Sequence, residues 1–166
     1  MLHTPATHPW LVALEQSGLG ATMRQSLMVY PLVEILHILG FALLVGAIVA
    51  FDLRVLGLGR GVPMDAVGRV TLPVAIGGFF LAAPMGFLLF TTEATHIAVN
   101  PAFQVKLACI LFGLGNALLF RIGPWRRMAD WGAPGHRAPA SARLGALLSL
   151  AAWLGAIGGG RLIAYL

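Results

Sequence analysis

Charge is what this chain has least of: only 10% of its 166 residues are Asp, Glu, Lys or Arg, against roughly 25% in soluble globular domains. That scarcity excludes an ordinary water-soluble core and surface. Cysteine is scarcer still. Cys109 stands alone inside an apolar run, which rules out a disulfide framework or a thiolate metal cluster and leaves a packing role. The HExxH zinc motif, a glycine-rich loop between strand and helix, and a serine or cysteine with a readable histidine partner are also missing, so side-chain hydrolysis is not expected. The first residues, MLHTPATHPW, lack the basic stretch and apolar core of a cleavable signal, and the first long span is expected to direct insertion.

What is present is apolar. Residues of the AVILMFWYC set make up 58% of the chain and the mean hydropathy is +0.86. Four long apolar stretches, at about 27–51, 70–92, 101–121 and 144–165, each reach the ~20 residues that cross about 30 Å of hydrocarbon. The expected fold is all-α, an integral membrane four-helix bundle forming a single transmembrane domain over 1–166, with the lipid bilayer as its solvent. Before the first span, HPWLVALEQSGLG mixes Trp10, Leu11 and Leu14 with Glu15 and Gln16, as suits a short interfacial helix.

Proline and glycine punctuate these spans. Pro31 lies near the start of the first, where a missing donor matters little. Pro73, Gly77, Gly78, Pro84 and Gly86 predict a bent second helix with space beside it. Asn100-Pro101 reads as a cap followed by proline at the first helical position. Gly155 and Gly159, four apart in the last span, suit close approach to a neighbouring helix or to a partner.

The net charge of +5 would suggest nucleic acid in a soluble protein. Here no nucleic-acid partner is expected, because arginines flanking membrane spans set orientation. Eight of the eleven basic residues, Arg54, Arg60, Arg69, Arg121, Arg126, Arg127, Arg137 and Arg143, fall on one side. The positive-inside rule makes that side cytoplasmic and places both termini outside, in a bacterial inner membrane. Asp52 and Arg54 then mark the cytoplasmic end of the first span, as an interfacial ion pair or a helix stop.

With that topology Glu15, Glu34, Glu93, His3, His8, His37, His96, Lys106 and Arg161 all collect toward the outer side. His37 lies about seven residues inside its span, or ~10 Å deep. Glu34 precedes it by three residues on nearly the same helix face. Gly40 removes bulk from that face, leaving room for a flat ligand. Ionisable groups within a span usually face the bundle interior and mark function. The alternative is that Glu34 and His37 bond to each other or to Arg161 and only fix packing. His96 follows the second span and reaches the outer boundary if that helix continues through it. Met85 is a possible thioether ligand, though a methionine beside proline commonly fills space. His3 and His8 belong to the terminus.

The stretch YPLVEILHILGFALLVGAIVAFDLRVLGLGR, with NPAFQVK and the terminal GRLIAY, resembles a family of small bacterial four-helix inner-membrane proteins to which no reaction is assigned. The likeness runs from Trp10 to Tyr165 and is most specific at Tyr30-Pro31, Glu34, His37, Asp52 to Arg54, Asn100 to Lys106 and Gly160-Arg161. It implies the fold. A similarity in architecture alone links the chain to small b-type cytochromes. The leading expectation is a haem b site for electron transfer near the outer face. His37 and His96 would be its metal ligands, Arg161 and Lys106 would pair with its propionates, and Glu34 would orient the His37 ring. The rival expectations are a quinone or other lipophilic ligand held by His37 and Glu34 beside Phe41, and an accessory subunit of a membrane complex that binds nothing. Scattered methionines argue against copper handling.

Overall fold

A computed structural model describes residues 8–165, which are helical throughout apart from turns and contain no strand. His3 lies outside the described residues. Two short helices come first, α1 (Pro9–Glu15) and α2 (Gly18–Gln25), separated at Ser17, whose hydroxyl accepts from Gly20 N at the start of α2. The expected interfacial helix is therefore two helices. They dock on the bundle, with Leu11 and Met23 only 2% and 3% exposed.

The long helices are α3 (Val29–Leu56), α4 (Met64–Phe90), α6 (Pro101–Ile122) and α8 (Ala140–Leu162). All four are long and apolar enough to cross a membrane. Most of their large aliphatic side chains point outward, as they do when lipid rather than water is the outer phase. The first helix runs five residues further than its apolar run suggested, because Asp52 and Arg54 are taken inside it. It ends at Gly57, whose φ of 114° closes the helix in the left-handed conformation. The second starts six residues earlier than expected, at Met64, and runs unbroken through Pro73 and Pro84.

Two helix pairs carry the architecture: α3 with α4 and α6 with α8, joined by α3 against α8. Close approach in the first pair depends on missing side chains. A Cβ on Gly40 would lie 2.6 Å from Ala82 N, and one on Gly78 would lie 2.6 Å from Gly40 O. Gly40 is thus filled by the α4 backbone, and the flat-ligand gap expected there does not exist. Gly155 and Gly159 make the same kind of contact in the second pair, against Cys109 and Lys106 of α6. Their small size serves packing within the chain rather than a partner.

The arginine-rich end is densely built. Phe51, Val55, Met64, Trp131, Ala138, Ala142 and Ala146 form one buried cluster. Around it Phe51 meets Phe120 and Trp125 at centroid distances of 5.5 and 6.0 Å. The loop between α6 and α8 folds as a 3-10 turn (Pro124–Arg127) and α7 (Met128–Trp131). Trp131 plugs the loop into the cluster and donates from Nε1 to Pro124 O at 3.1 Å. Met64 N to Gly132 O and Gly135 N to Arg60 O, both 2.9 Å, tie the two connections together.

At the opposite end α5 (Ala94–Val99) is a separate helix after the turn at Thr91 and Thr92. The second span does not continue to His96. The Asn100 side chain caps α6 by accepting from Ala102 N at 2.9 Å, as its position before Pro101 predicts, and donates to Ile163 O at 3.2 Å to hold the end of α8.

Candidate functional site

An open cavity of about 1300 Å³ lies at the end opposite the arginine-rich one. The α3 wall contributes Tyr30, Glu34, His37 and Phe41, and α6 contributes Phe103 and Lys106. From α8 come Ala156, Gly160 and Arg161. The C-terminal end of α4 adds Gly86 and Phe90, two and six residues past Pro84, while Arg24 and His96 stand on the short helices at the rim. All five residues singled out in the sequence, Glu34, His37, His96, Lys106 and Arg161, line this one space.

His37 is the best-fixed of them. Its Nδ1 lies 2.8 Å from Ala82 O. A carbonyl only accepts, so the bond assigns the proton to Nδ1 and leaves the Nε2 lone pair on a ring that lines the cavity. Gly86 makes the bond possible. In a helix the side chain at i+4 lies over the carbonyl at i, and Gly86 is the i+4 residue of Ala82. A Cβ there would sit 2.8 Å from the His37 ring. Phe41, one turn along α3, lies 6.3 Å away with its ring nearly parallel to the imidazole.

The orienting group is therefore a backbone carbonyl and not Glu34, whose carboxylate is exposed toward the cavity without bonding to His37. The expected pairing of Glu34 with Arg161 is also not formed. Among the described residues the one ion pair is Arg69 with Asp65. Arg161 instead donates to the Tyr165 hydroxyl at 2.7 Å and lies over that ring at 5.1 Å. An arginine near a helix end can reach the interface, and here the neighbouring turn supplies the partner.

Lys106 crosses α8 where Gly159 and Gly160 lack side chains: a Cβ on Gly160 would meet its Nζ at 3.6 Å. This half-buried ammonium has no carboxylate partner among the described residues. His96 is exposed on α5, Met85 is absent from the cavity wall, and no group of three or more metal-binding side chains forms among the described residues.

The rim rests on a clasp that the sequence did not disclose. Glu15 Oε2 accepts from Thr95 N at 3.0 Å and from Thr95 Oγ1 at 2.8 Å, joining α1 to α5. The Thr95 backbone bond is the main reason the Glu15 carboxyl titrates below its ordinary 4.5, with partial burial opposing and the Thr95 hydroxyl, Arg24 and His96 assisting. Arg24 donates to Thr92 O at 3.0 Å and so fastens α2 to the end of α4. Neither partner pair shows in a linear reading, since Glu15 and Thr95 are 80 residues apart.

Chemically the cavity offers an oriented imidazole with a free lone pair, an apolar and aromatic wall, and the cationic side chains of Arg24, Lys106 and Arg161, none of which forms an ion pair among the described residues. No family model, no curated protein and no solved structure matches the chain. The likeness of its motifs to small four-helix membrane proteins thus rests on those residues alone.

Proposed function

We propose that the chain is a membrane cofactor-binding protein whose cavity takes a b-type haem, with electron transfer as its activity. One observation carries this reading: His37, tethered through Nδ1 to Ala82 O, shares a cavity of about 1300 Å³ with Lys106 and Arg161, which form no ion pair among the described residues. A metal-ligating histidine commonly donates its other N–H to a carbonyl or carboxylate, which fixes the ring and its tautomer. Lys106 and Arg161 suit the carboxylates of the propionates, and His96 on the rim is the second imidazole. Glu34 lies one turn from His37 and would keep the cavity mouth polar. Haem supplies one-electron chemistry tuned by its ligands and by burial.

The test is optical. Protein purified without added cofactor should show a Soret band, and His37→Ala should remove it while His8→Ala leaves it unchanged. No band in the parent, or the same spectrum in His37→Ala, refutes the assignment.

A second reading is favoured by the way the cavity wall continues along α3 past Phe41 to Ala42, Val45 and Gly46. Such an apolar slot between helices suits a quinone or similar lipophile, with the His37 Nε2 as acceptor. Organic extraction of colourless protein would then yield the ligand from the parent and not from His37→Ala. If neither form holds a cofactor, the chain is an accessory subunit of a membrane complex.

The sidedness follows from charge. With the arginine-rich end in the cytoplasm, as the positive-inside rule directs, the cavity opens outside. Cysteines introduced at positions 15 and 96 should react with an impermeant reagent in intact cells, and those at 60 and 137 should not. Labelling at 60 in intact cells would reverse the orientation.

A further inference from the structure

At the arginine-rich end a second, small cavity is lined by Arg54, Arg60, Arg137 and Arg143, together with His136 and the Gly57 turn. Arg54 is only 5% exposed. Its Nε donates to Val62 O at 2.8 Å, but its Nη2 is buried without a partner, as is the Nε of Arg60. The Arg60 guanidinium lies over Gly57, where a Cβ would come within 2.6 Å of its Nε. Among the described residues no carboxylate pairs with this group: Asp65 is paired with Arg69, and Asp52 sits beside Ser149 of α8. The expected interfacial pair of Asp52 with Arg54 is not formed, and both side chains are buried.

A buried donor left unsatisfied is unfavourable, and an unpaired buried charge more so. Two such donors, on two arginines that share one cavity, call for a ligand that accepts several hydrogen bonds and carries negative charge. Guanidinium groups match phosphate oxygens in this way. The enclosed space is about 10 Å³, roughly the room of one water-sized atom. One phosphate oxygen can enter between Arg54 and Arg60 while the rest meets the exposed Arg137 and Arg143 at the mouth. The position at the ends of the spanning helices is where phosphodiester headgroups lie.

We propose that this cluster is a binding site for a phosphate-bearing anion, supplied either by an anionic phospholipid headgroup or by free phosphate. The site is separate from the large cavity and does not depend on the cofactor reading.

The full-length protein, exchanged into phosphatidylcholine-containing micelles, is titrated in parallel with phosphatidylglycerol, read by native mass spectrometry, and with radiolabelled inorganic phosphate, read by equilibrium dialysis. Saturable binding of one molecule is expected. Arg60→Gln and Arg143→Gln should each weaken it roughly fivefold. Arg126→Gln, exposed and outside the cavity, should not. Binding of phosphatidylglycerol alone identifies a lipid headgroup, and binding of phosphate with the same variant pattern identifies the free anion. Both positions are partly or fully exposed, and helical circular dichroism checks that each variant folds. Saturable binding of neither probe, or equal weakening by Arg126→Gln, overturns the proposal.

Discussion

The two ends of the bundle are built to opposite rules. At the arginine-rich end, four aromatic rings, Phe51, Phe120, Trp125 and Trp131, fill the space between helices, and the two connections are hydrogen-bonded to each other. At the other end the helices leave a cavity of about 1300 Å³, and the space is roofed by short helices joined through polar side chains. The difference shows how a small membrane bundle hosts a site. Without water to drive helices together, packing and hydrogen bonds hold them, so one tightly packed end can brace another that stays open.

The sharpest way to break that comparison is to remove what both ends share. Gly78→Leu should separate α3 from α4 along their length, since even a Cβ would fall 2.6 Å from Gly40 O. The expected outcome is loss of the folded bundle, read as aggregation on size-exclusion chromatography. A Gly78→Leu protein that stays monodisperse with an unchanged melting temperature would show that the close contact is dispensable.

The next test contrasts the ends directly. Trp131→Ala empties a 6% exposed position in the packed cluster and should destabilise by about 3–5 kcal/mol. Phe103→Ala, at the cavity, removes one stacked partner of Phe90 at 5.2 Å, an effect of roughly 0.5–1.5 kcal/mol. Reversible unfolding in mixed micelles measures both. Equal losses would deny the distinction between a packed end and an open one.

The smallest effect concerns the roof. Glu15→Gln exchanges a carboxylate acceptor for an amide at Thr95, with a loss below about 1 kcal/mol because the amide oxygen still accepts from Thr95 and Glu15 itself is partly exposed. Acid acts in the same direction. Because the folded carboxyl titrates below its ordinary 4.5, the clasp contributes its full stabilisation above about pH 4.5 and loses it as pH falls through the folded value. Protection of the α1 and α5 amides, relative to the intrinsic exchange rate at each pH, should fall on acidification in the parent, and the acid-dependent part should vanish in Glu15→Gln. An unchanged acid dependence would assign it elsewhere.

Much of this is legible in the sequence. Apolar length alone predicts four spanning helices, and Asn100 before Pro101 predicts the cap on α6. The five residues that line the cavity stand out in the sequence because titratable side chains within or just beyond apolar spans are few, and topology sends them to one end. Their partners were not legible. His37 is held by Ala82 O, 45 residues away, and only because Gly86 exposes that carbonyl. A backbone oxygen has no sequence signature. Arg161 turns to Tyr165 in the turn that follows its helix, whereas the spacing suggested a cross-helix pair with Glu34.

Sequence by itself determined the fold class, the number of spanning helices and which end is basic, because those depend on transfer of side chains between water and lipid and on local chain geometry. Tertiary structure decided which glycines pack and which leave space. Gly40 and Gly78 close α3 on α4, while Gly86, on the same helix as Gly78, opens a place for an imidazole. The physical reason is that a missing side chain specifies nothing until the neighbouring helix is in position: the same absence becomes a contact where backbone fills it and a site where a polar ring does.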